Sequence, residues 1–395
     1  MSLPLQGVRV VEYAQYVAGP LSGVLLADLG ADVIKVEPPR GDAYRYVMPV
    51  APGLGRYFIP LNRGKRSVAV DLKTESGRRS SERLLRSADV VLHNFPPERA
   101  RRFGLDWEAV HAAHPAVVVG LVSSYGREGP LAGAPAYDLV AQARAGLLTA
   151  HASPGDRVPV RAGGIPMADL TAGFLLATGV LAALVSSRES RVGELVEVSL
   201  LAAAMAVQLQ DLVWLSGEAE ASQAHPADRA HLDVRAAEIA GGVAMNPYYR
   251  CFETADGFLA VACLNLVQRA AFLALFGLED ETVEAPDLVP ESPAVLAEKE
   301  AVTLEIERAI AARTTSEWLH RLESAGVPCG VVHPRETVYA DPQVVANGLV
   351  DDVVQPGLGS VRLLAPFIRV GDEKLGVAAA PELGADTEAV LGALA

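Results

Sequence analysis

The sequence predicts an α/β chain in which a large, doubly wound domain built on a parallel sheet is joined to a smaller α+β domain. Short apolar runs rich in Val alternate with helical stretches through the first 125 residues, the order of a parallel sheet crossed by helices. The 395 residues, half of them apolar and 21% charged, exceed one ordinary core and fit roughly two domains. From Ser216 to Gly242 the composition shifts to Ala, Glu, His, Asp and Gly without sustained apolar periodicity, which marks a linker.

In chain order, Val8 to Tyr13 reads as the first strand, Gly19-Pro20 opens a helix reaching Leu29, and Asp32 to Glu37 is the second strand. That is a βαβ unit. Ser67 to Leu72 continues as strand, Glu75 to Arg86 as helix, Ala88 to Leu92 as strand, Trp107 to Ala113 as helix and Val117 to Val122 as strand. A Rossmann-like sheet follows. The turn from Ala14 to Gly23 lacks the GxGxxG spacing that brings backbone against a pyrophosphate, which disfavours a dinucleotide dehydrogenase. Leu170 to Val185 is an almost unbroken apolar helix, yet shorter than a bilayer span and ending in the polar Ser186 to Arg191; a core or subunit-interface helix is expected. Ser199 to Leu215 reads as a long Ala- and Leu-rich helix.

Beyond the linker, Tyr248 to Val261 alternates around Ala255-Asp-Gly257, a hairpin signal. Helices are predicted at Val267 to Phe276, Val295 to Ala312 and Thr315 to Glu323, then a strand-rich tail from Leu349 to Val370 and a last helix from Asp386 to Leu394. The expected organisation is a large domain from residues 1–215, a linker over 216–242, a small α+β domain over 243–334, and a return to the large domain over 335–395.

The start of the chain carries no basic and apolar signal pattern, and Cys251, Cys263 and Cys329 form no CxxC pair. A cytoplasmic protein without a disulfide framework or metal site is expected. A formal charge of −14 disfavours nucleic acid and anionic membranes as partners. Against it, Arg40, Arg63, Lys65, Arg66, Arg99, Arg101 and Arg102 crowd the first quarter, which suits a small polyanion. A solvated basic face explains the same pattern. Gly163 to Asp169 (GGIPMAD) precedes the apolar helix and places Asp169 in or near its first turn, where backbone N–H groups and the helix dipole favour a carboxylate. That is the setting of an activated nucleophile and equally of an ordinary helix cap.

Ordered motifs run along nearly the whole chain. They are Gly30 to Glu37 (GADVIKVE), Asn62 to Ser67 (NRGKRS), Asp71 to Lys73, Ala88 to Phe95 (ADVVLHNF), Pro135 to Ala143 (PAYDLVAQA), the Asp169 segment, Val196 to Leu200, Thr254 to Gly257, Ala325 to Pro328 and Pro381 to Thr387. With them the chain resembles the class III CoA-transferase family, also known as the formyl-CoA transferase and carnitine CoA-transferase family. The resemblance implies an interlocked homodimer and an acyl-CoA donor and carboxylic acid acceptor as substrates, with coenzyme A passing through and no tightly bound cofactor. It makes Asp169 the nucleophile, through an aspartyl anhydride and an aspartyl-CoA thioester. CoA contacts are implied for Val17, Ala18, Arg40, Arg63, Lys65, Arg66, Leu72, Asn94, Phe95 and Arg102. Tyr137, Asp138, Gly241 and Gly242 are expected to line the site, with oxyanion donors from the helix start or a Gly-rich segment.

The same superfamily holds α-methylacyl-CoA racemases, whose His base falls here at Tyr137, a poor base near neutral pH. A non-catalytic CoA-binding paralogue is the remaining alternative, and it predicts loss of the nucleophile. Val17 and Met48 to Pro52 replace a polar and a Trp-containing stretch of the oxalate enzymes, so a larger or more hydrophobic acid is expected.

Overall fold

The computed structural model describes residues 3–150, 164–213, 246–284, 293–371 and 376–394. Gly241, Gly242 and the expected linker lie outside them. The described residues up to Leu148, from 164 to 213, and from Pro342 onward cluster as one unit, and those from 246 to Asp341 as a second.

The first unit is built on six parallel strands, β1 (Arg9–Glu12), β2 (Asp32–Glu37), β5 (Arg66–Ala69), β6 (Val90–His93), β7 (Val118–Ser123) and β8 (Leu195–Ser199). A small hairpin, β3 (Pro49–Ala51) and β4 (Leu54–Gly55), intervenes. The order across the sheet is β5-β2-β1-β6-β7-β8. The chain therefore builds outward from β1 to one side, then returns to build the other side from β6. Loops after β1 and β6 diverge at this switch point, which opens a crevice at the carboxyl ends of the strands. Neighbouring residues alternate between the two faces. Val10, Val33, Val90 and Val118 enter one core cluster, and Val11, Ile34, Val91 and Val119 enter the other, as period-two side-chain geometry requires.

Between the strands run α1 (Ala18–Asp28), α2 (Phe58–Asn62), α3 (Glu75–Arg86), α4 (Pro97–Phe103), α5 (Trp107–Ala113), α6 (Asp138–Arg144), α7 (Leu147–Ala150), α8 (Met167–Ser190) and α9 (Leu200–Ala206). Helix α8 starts directly after Pro166 and ends at Arg191, a left-handed residue with φ 58°, so it outruns the predicted span at both ends. It is long and apolar enough to cross a membrane by length and composition, but Ala168, Ala172, Leu176, Val180 and Leu184 form a buried stripe at a spacing of four against the sheet and its neighbours. Helix α9 is shorter than predicted. The Gln208 amide donates to the Ala204 carbonyl at 2.9 Å, the acceptor an α-helix would give to the Gln208 backbone, which bonds Met205 instead. Strand β8 escaped prediction because its alternating Leu195, Val196, Glu197 and Val198 are all only half-buried.

Strand β5 is an edge, and the end of the chain covers it. Ser67 N–H donates to the Asp386 carboxylate at 2.8 Å, Ala69 N–H to the Thr387 hydroxyl at 3.0 Å, and Gly384 N–H to the Ser67 hydroxyl at 2.8 Å. The edge donors are thus satisfied within the molecule. A hairpin of β12 (Val350–Gln355) and β13 (Gly359–Leu364) also belongs to this unit. In the second unit, β9 (Tyr249–Glu253), β10 (Phe258–Ala262) and β11 (Cys329–Val331) form an antiparallel sheet. Helices Leu266–Ala274, Pro293–Ala311 and Thr315–Ser324 pack on it around Phe252, Phe272, Ile306 and Trp318. Thr314 caps the last of these, in a capping box with Glu317.

Candidate active site

The turn after β1 is held almost atom by atom. The Asn94 amide, just past β6, accepts from Gln15 N–H at 3.1 Å and donates to the Gln15 carbonyl at 2.8 Å. Lys35 Nζ donates to the Ala14 carbonyl at 2.9 Å, Lys65 Nζ to the Pro20 carbonyl at 2.8 Å, and Asp42 Oδ1 accepts from Tyr16 N–H at 3.4 Å. Between these clamps Tyr16 takes φ 71°, a left-handed conformation that costs strain for a residue with a Cβ.

The charges behind this turn are buried and paired. Glu12 meets Lys35 at 3.1 Å and Lys65 at 2.8 Å, Lys35 meets Asp42 at 3.0 Å, and Arg45 binds both oxygens of Glu37 at 2.6 and 2.7 Å. Three acids balance three bases, as charge in a low-dielectric interior demands. Burial acts most strongly on Lys35 and would lower its pKa, but Asp42, Glu12 and Glu37 together push it up. Lys65 is driven the other way, down to about 8, by burial that the Glu12 carboxylate only partly opposes.

Part of the residue set expected to bind CoA is engaged in ion pairs. Lys65 is buried, with its ammonium committed to Glu12, Pro20 and Asn62. Arg63 is also buried, forked onto the Asp28 carboxylate. Arg66, half-exposed, forks onto Asp32. The basic residues of the motif from Asn62 to Ser67 are thus paired with Asp28, Glu12 and Asp32, the first two pairs buried and the third half-exposed. Arg40 and Arg102 are exposed, Arg102 over the Phe103 ring at 5.9 Å and Arg99 over the Phe95 ring at 5.5 Å. Val17 and Ala18 are buried, and Leu72 packs half-buried against the core.

Asn94 and Phe95 also line a cleft of about 550 Å³ at the carboxyl ends of β6 and β7, with His93, Arg101, Trp107 and Ser124. Burial holds the His93 imidazole down to about 4, against a weaker pull from Asp106. It is neutral near pH 7 and accepts from Phe95 N–H at 3.3 Å, a packed histidine rather than a base.

Asp169 stands half-exposed in the first turn of α8. It does not cap that helix. The cap is Asp138, buried at the start of α6, whose Oδ1 accepts from Ala168 N–H at 3.0 Å and Asp169 N–H at 3.3 Å, while Oδ2 accepts from Gln142 Nε2 at 2.7 Å. Two of the N–H groups at the helix start, where oxyanion donors are expected, thus serve Asp138. One turn beyond Asp169, Gly173 presses on α1. A Cβ there would lie 2.9 Å from the Ala18 carbonyl and 2.8 Å from Leu21, and the Ser22 hydroxyl donates to the carbonyls of both Ala18 and Gly173. Residues four apart share a helix face, so Asp169 lies one turn above the contact with Ala18. Tyr137, 66% exposed, meets the Tyr16 ring edge-on at 5.8 Å. The geometry therefore gathers Asp169, Asp138, Tyr137, Tyr16 and Ala18 beside the crevice that Asn94 and Phe95 enter. Gln142 was not among the residues predicted for the site, and the left-handed φ that marks Tyr16 has no signature in sequence.

Among the described residues no His, Cys, Asp and Glu cluster suits a metal ion. The chain is 33% identical to the probable fatty acyl-CoA transferase Rv3272 of Mycobacterium tuberculosis over 89% of its own length and 88% of that protein's. It is 30% identical to human succinyl-CoA:glutarate CoA-transferase, over 96% and 83% of the two chains. A solved structure of a CAIB/BAIF family protein from Brucella suis superposes with a TM-score of 0.81 at 29% identity, over the full length of both chains. The sequence pattern of CoA-transferase family III matches residues 5–387. The chain belongs to CoA-transferase family III and is a CoA-transferase.

Proposed function

We propose that the enzyme moves coenzyme A from an acyl-CoA to a carboxylic acid by way of Asp169. The observation that carries this reading is that buried Asp138 binds the N–H groups of Ala168 and Asp169 and so fixes the first turn of α8, in which Asp169 stands half-exposed.

Asp169 attacks the donor thioester carbonyl and expels CoA thiolate, leaving a mixed anhydride. The thiolate then attacks the aspartyl carbonyl and expels the donor's carboxylate, leaving an aspartyl-CoA thioester. The acceptor carboxylate attacks this thioester, again releasing thiolate and forming a second anhydride. Thiolate attack on the acyl carbon of that anhydride releases the new acyl-CoA and restores Asp169. Each addition develops an oxyanion that needs donors; Gly241 and Gly242 remain proposed for that role. For CoA itself, the support is placement. Backbone of Val17 and Ala18 lies on one side of the switch point, Asn94 and Phe95 on the other, with exposed Arg40 and Arg102 as candidates for phosphates, which arginine forks match well.

Relatives named for fatty acyl, glutarate and oxalate chemistry span apolar and dicarboxylic acids. We assign this chain to the larger, less polar acids, because Met48 stands exposed where the oxalate enzymes carry a Trp-containing stretch. A homodimer is proposed as well, from apolar residues left in the open on and after the two long helices: Val185 at 69% exposure, Leu209 at 80% and Val213 at 64%, with Phe174 and Leu175 beside them.

The test is intact-mass spectrometry of the protein with acetyl-, succinyl-, benzoyl- and 2-methylacyl-CoA, with hydroxylamine trapping. A hydroxylamine-sensitive adduct that vanishes in Asp169→Ala is expected. Absence of any adduct, with exchange of the α-hydrogen of the 2-methylacyl substrate, replaces this reading with the racemase one.

A further inference from the structure

We propose that Tyr16 sets acyl specificity: with Tyr44, Tyr57 and Tyr137 its ring forms an aromatic wall that receives an aryl acyl group delivered toward Asp169. This rests on the reading of Asp169 as the acyl-carrying residue.

The four rings are contiguous. Tyr16 meets Tyr44 edge-on at 5.6 Å and Tyr137 at 5.8 Å, and Tyr44 meets Tyr57 at 6.2 Å. The row begins beside Asp138, one residue from Tyr137, and Asp138 holds the backbone of Asp169. At its other end Tyr57 is 46% exposed, with the exposed Met48 in the same segment of chain, and Tyr137 is 66% exposed. The wall is thus an open row of ring faces and edges, tied to the first turn of α8 through Asp138. An incoming phenyl ring finds there the edge-to-face partners that aromatic groups prefer.

Tyr16 is the member that is held rigid. Its N–H is bound by Asp42, the carbonyl two residues before it by Lys35, and both backbone groups of Gln15 by Asn94. Were only the backbone shape at φ 71° required, glycine would supply it without strain. What tyrosine adds at this position is a ring in a fixed place, and a preorganised ring loses little freedom when a ligand packs on it.

The test measures equilibrium binding of CoA, benzoyl-CoA and succinyl-CoA to the full chain carrying Asp169→Ala, which blocks turnover. Benzoyl-CoA is expected to bind about tenfold tighter than CoA, as one well-packed aromatic contact allows. Tyr16→Gly, which keeps the turn and removes the ring, is expected to reduce that ratio to about one, and Tyr16→Phe to keep it. The succinyl-CoA to CoA ratio stays the same in all three. Tyr57→Ala, at the exposed far end of the wall, is expected to lower the benzoyl ratio by about threefold without touching the turn. A benzoyl ratio indifferent to Tyr16→Gly and Tyr57→Ala, or a succinyl ratio that falls in step with it, overturns the proposal. If the ratios behave as expected but the chain with Asp169 intact forms no adduct with any thioester, the wall stands and the role of Asp169 falls.

Discussion

Asp138 and Asp169 are both acidic residues at helix starts, and their surroundings give them different work. Asp138 is buried and accepts three N–H donors across two helices; Asp169 is left half-exposed. Asp138→Ala is expected to cost about 1–2 kcal/mol of stability through the lost cap and to lower kcat by about tenfold or more, because the Asp169 backbone is no longer held. CoA affinity should change little. Asp138→Asn retains an oxygen for the same two N–H groups and should recover most of the rate. A wild-type kcat for the alanine variant would show that Asp138 only caps. In the sequence Asp169, at the end of GGIPMAD, reads equally as a helix cap and is singled out only by the family resemblance, and the opposite fates of the basic residues are not legible at all. Lys65 and Arg102 look alike as letters; one is sealed against Glu12 and the other faces solvent, a difference set by partners 53 residues away for Lys65.

Helices α1 and α8 meet at Gly173, and that contact sets how far Asp169 stands from the turn after β1. Gly173→Val places carbons where the Ala18 carbonyl and Leu21 already are. The expected loss is about 1–3 kcal/mol, seen as a lower unfolding midpoint, together with a reduced kcat as Ala18 and Asp169 move apart. A folded variant of unchanged midpoint and rate would show that the two helices slide without consequence. At this scale the sequence was informative. The strands β1, β2, β5, β6 and β7 announce themselves as Val-rich runs because a parallel strand is buried on both faces, and the hairpin of β9 and β10 is marked by its Asp-Gly turn. Elements set by a single side-chain competition, such as the early end of α9 at Gln208, leave no such trace.

For the whole molecule, the order β5-β2-β1-β6-β7-β8 brings two turns 79 residues apart, around Gln15 and Asn94, to one point, and alternation of strand and helix predicts that convergence without any motif. Where exposed apolar surface goes is a matter of assembly. Light scattering is expected to give a mass near twice the 41.5 kDa of the chain; Val185→Glu with Leu209→Glu should yield monomer, and a wild-type monomer would sink the dimer proposal. The covered edge of β5 has a further meaning during synthesis. Ser67 waits for Asp386, 319 residues later, which at ribosomal speeds is roughly 15 s to a minute. Until then the nascent chain carries an open strand edge that invites pairing with a neighbour. Gly384, Asp386 and Thr387 act as a completion latch, so a chain terminated before them would be released with this edge still open.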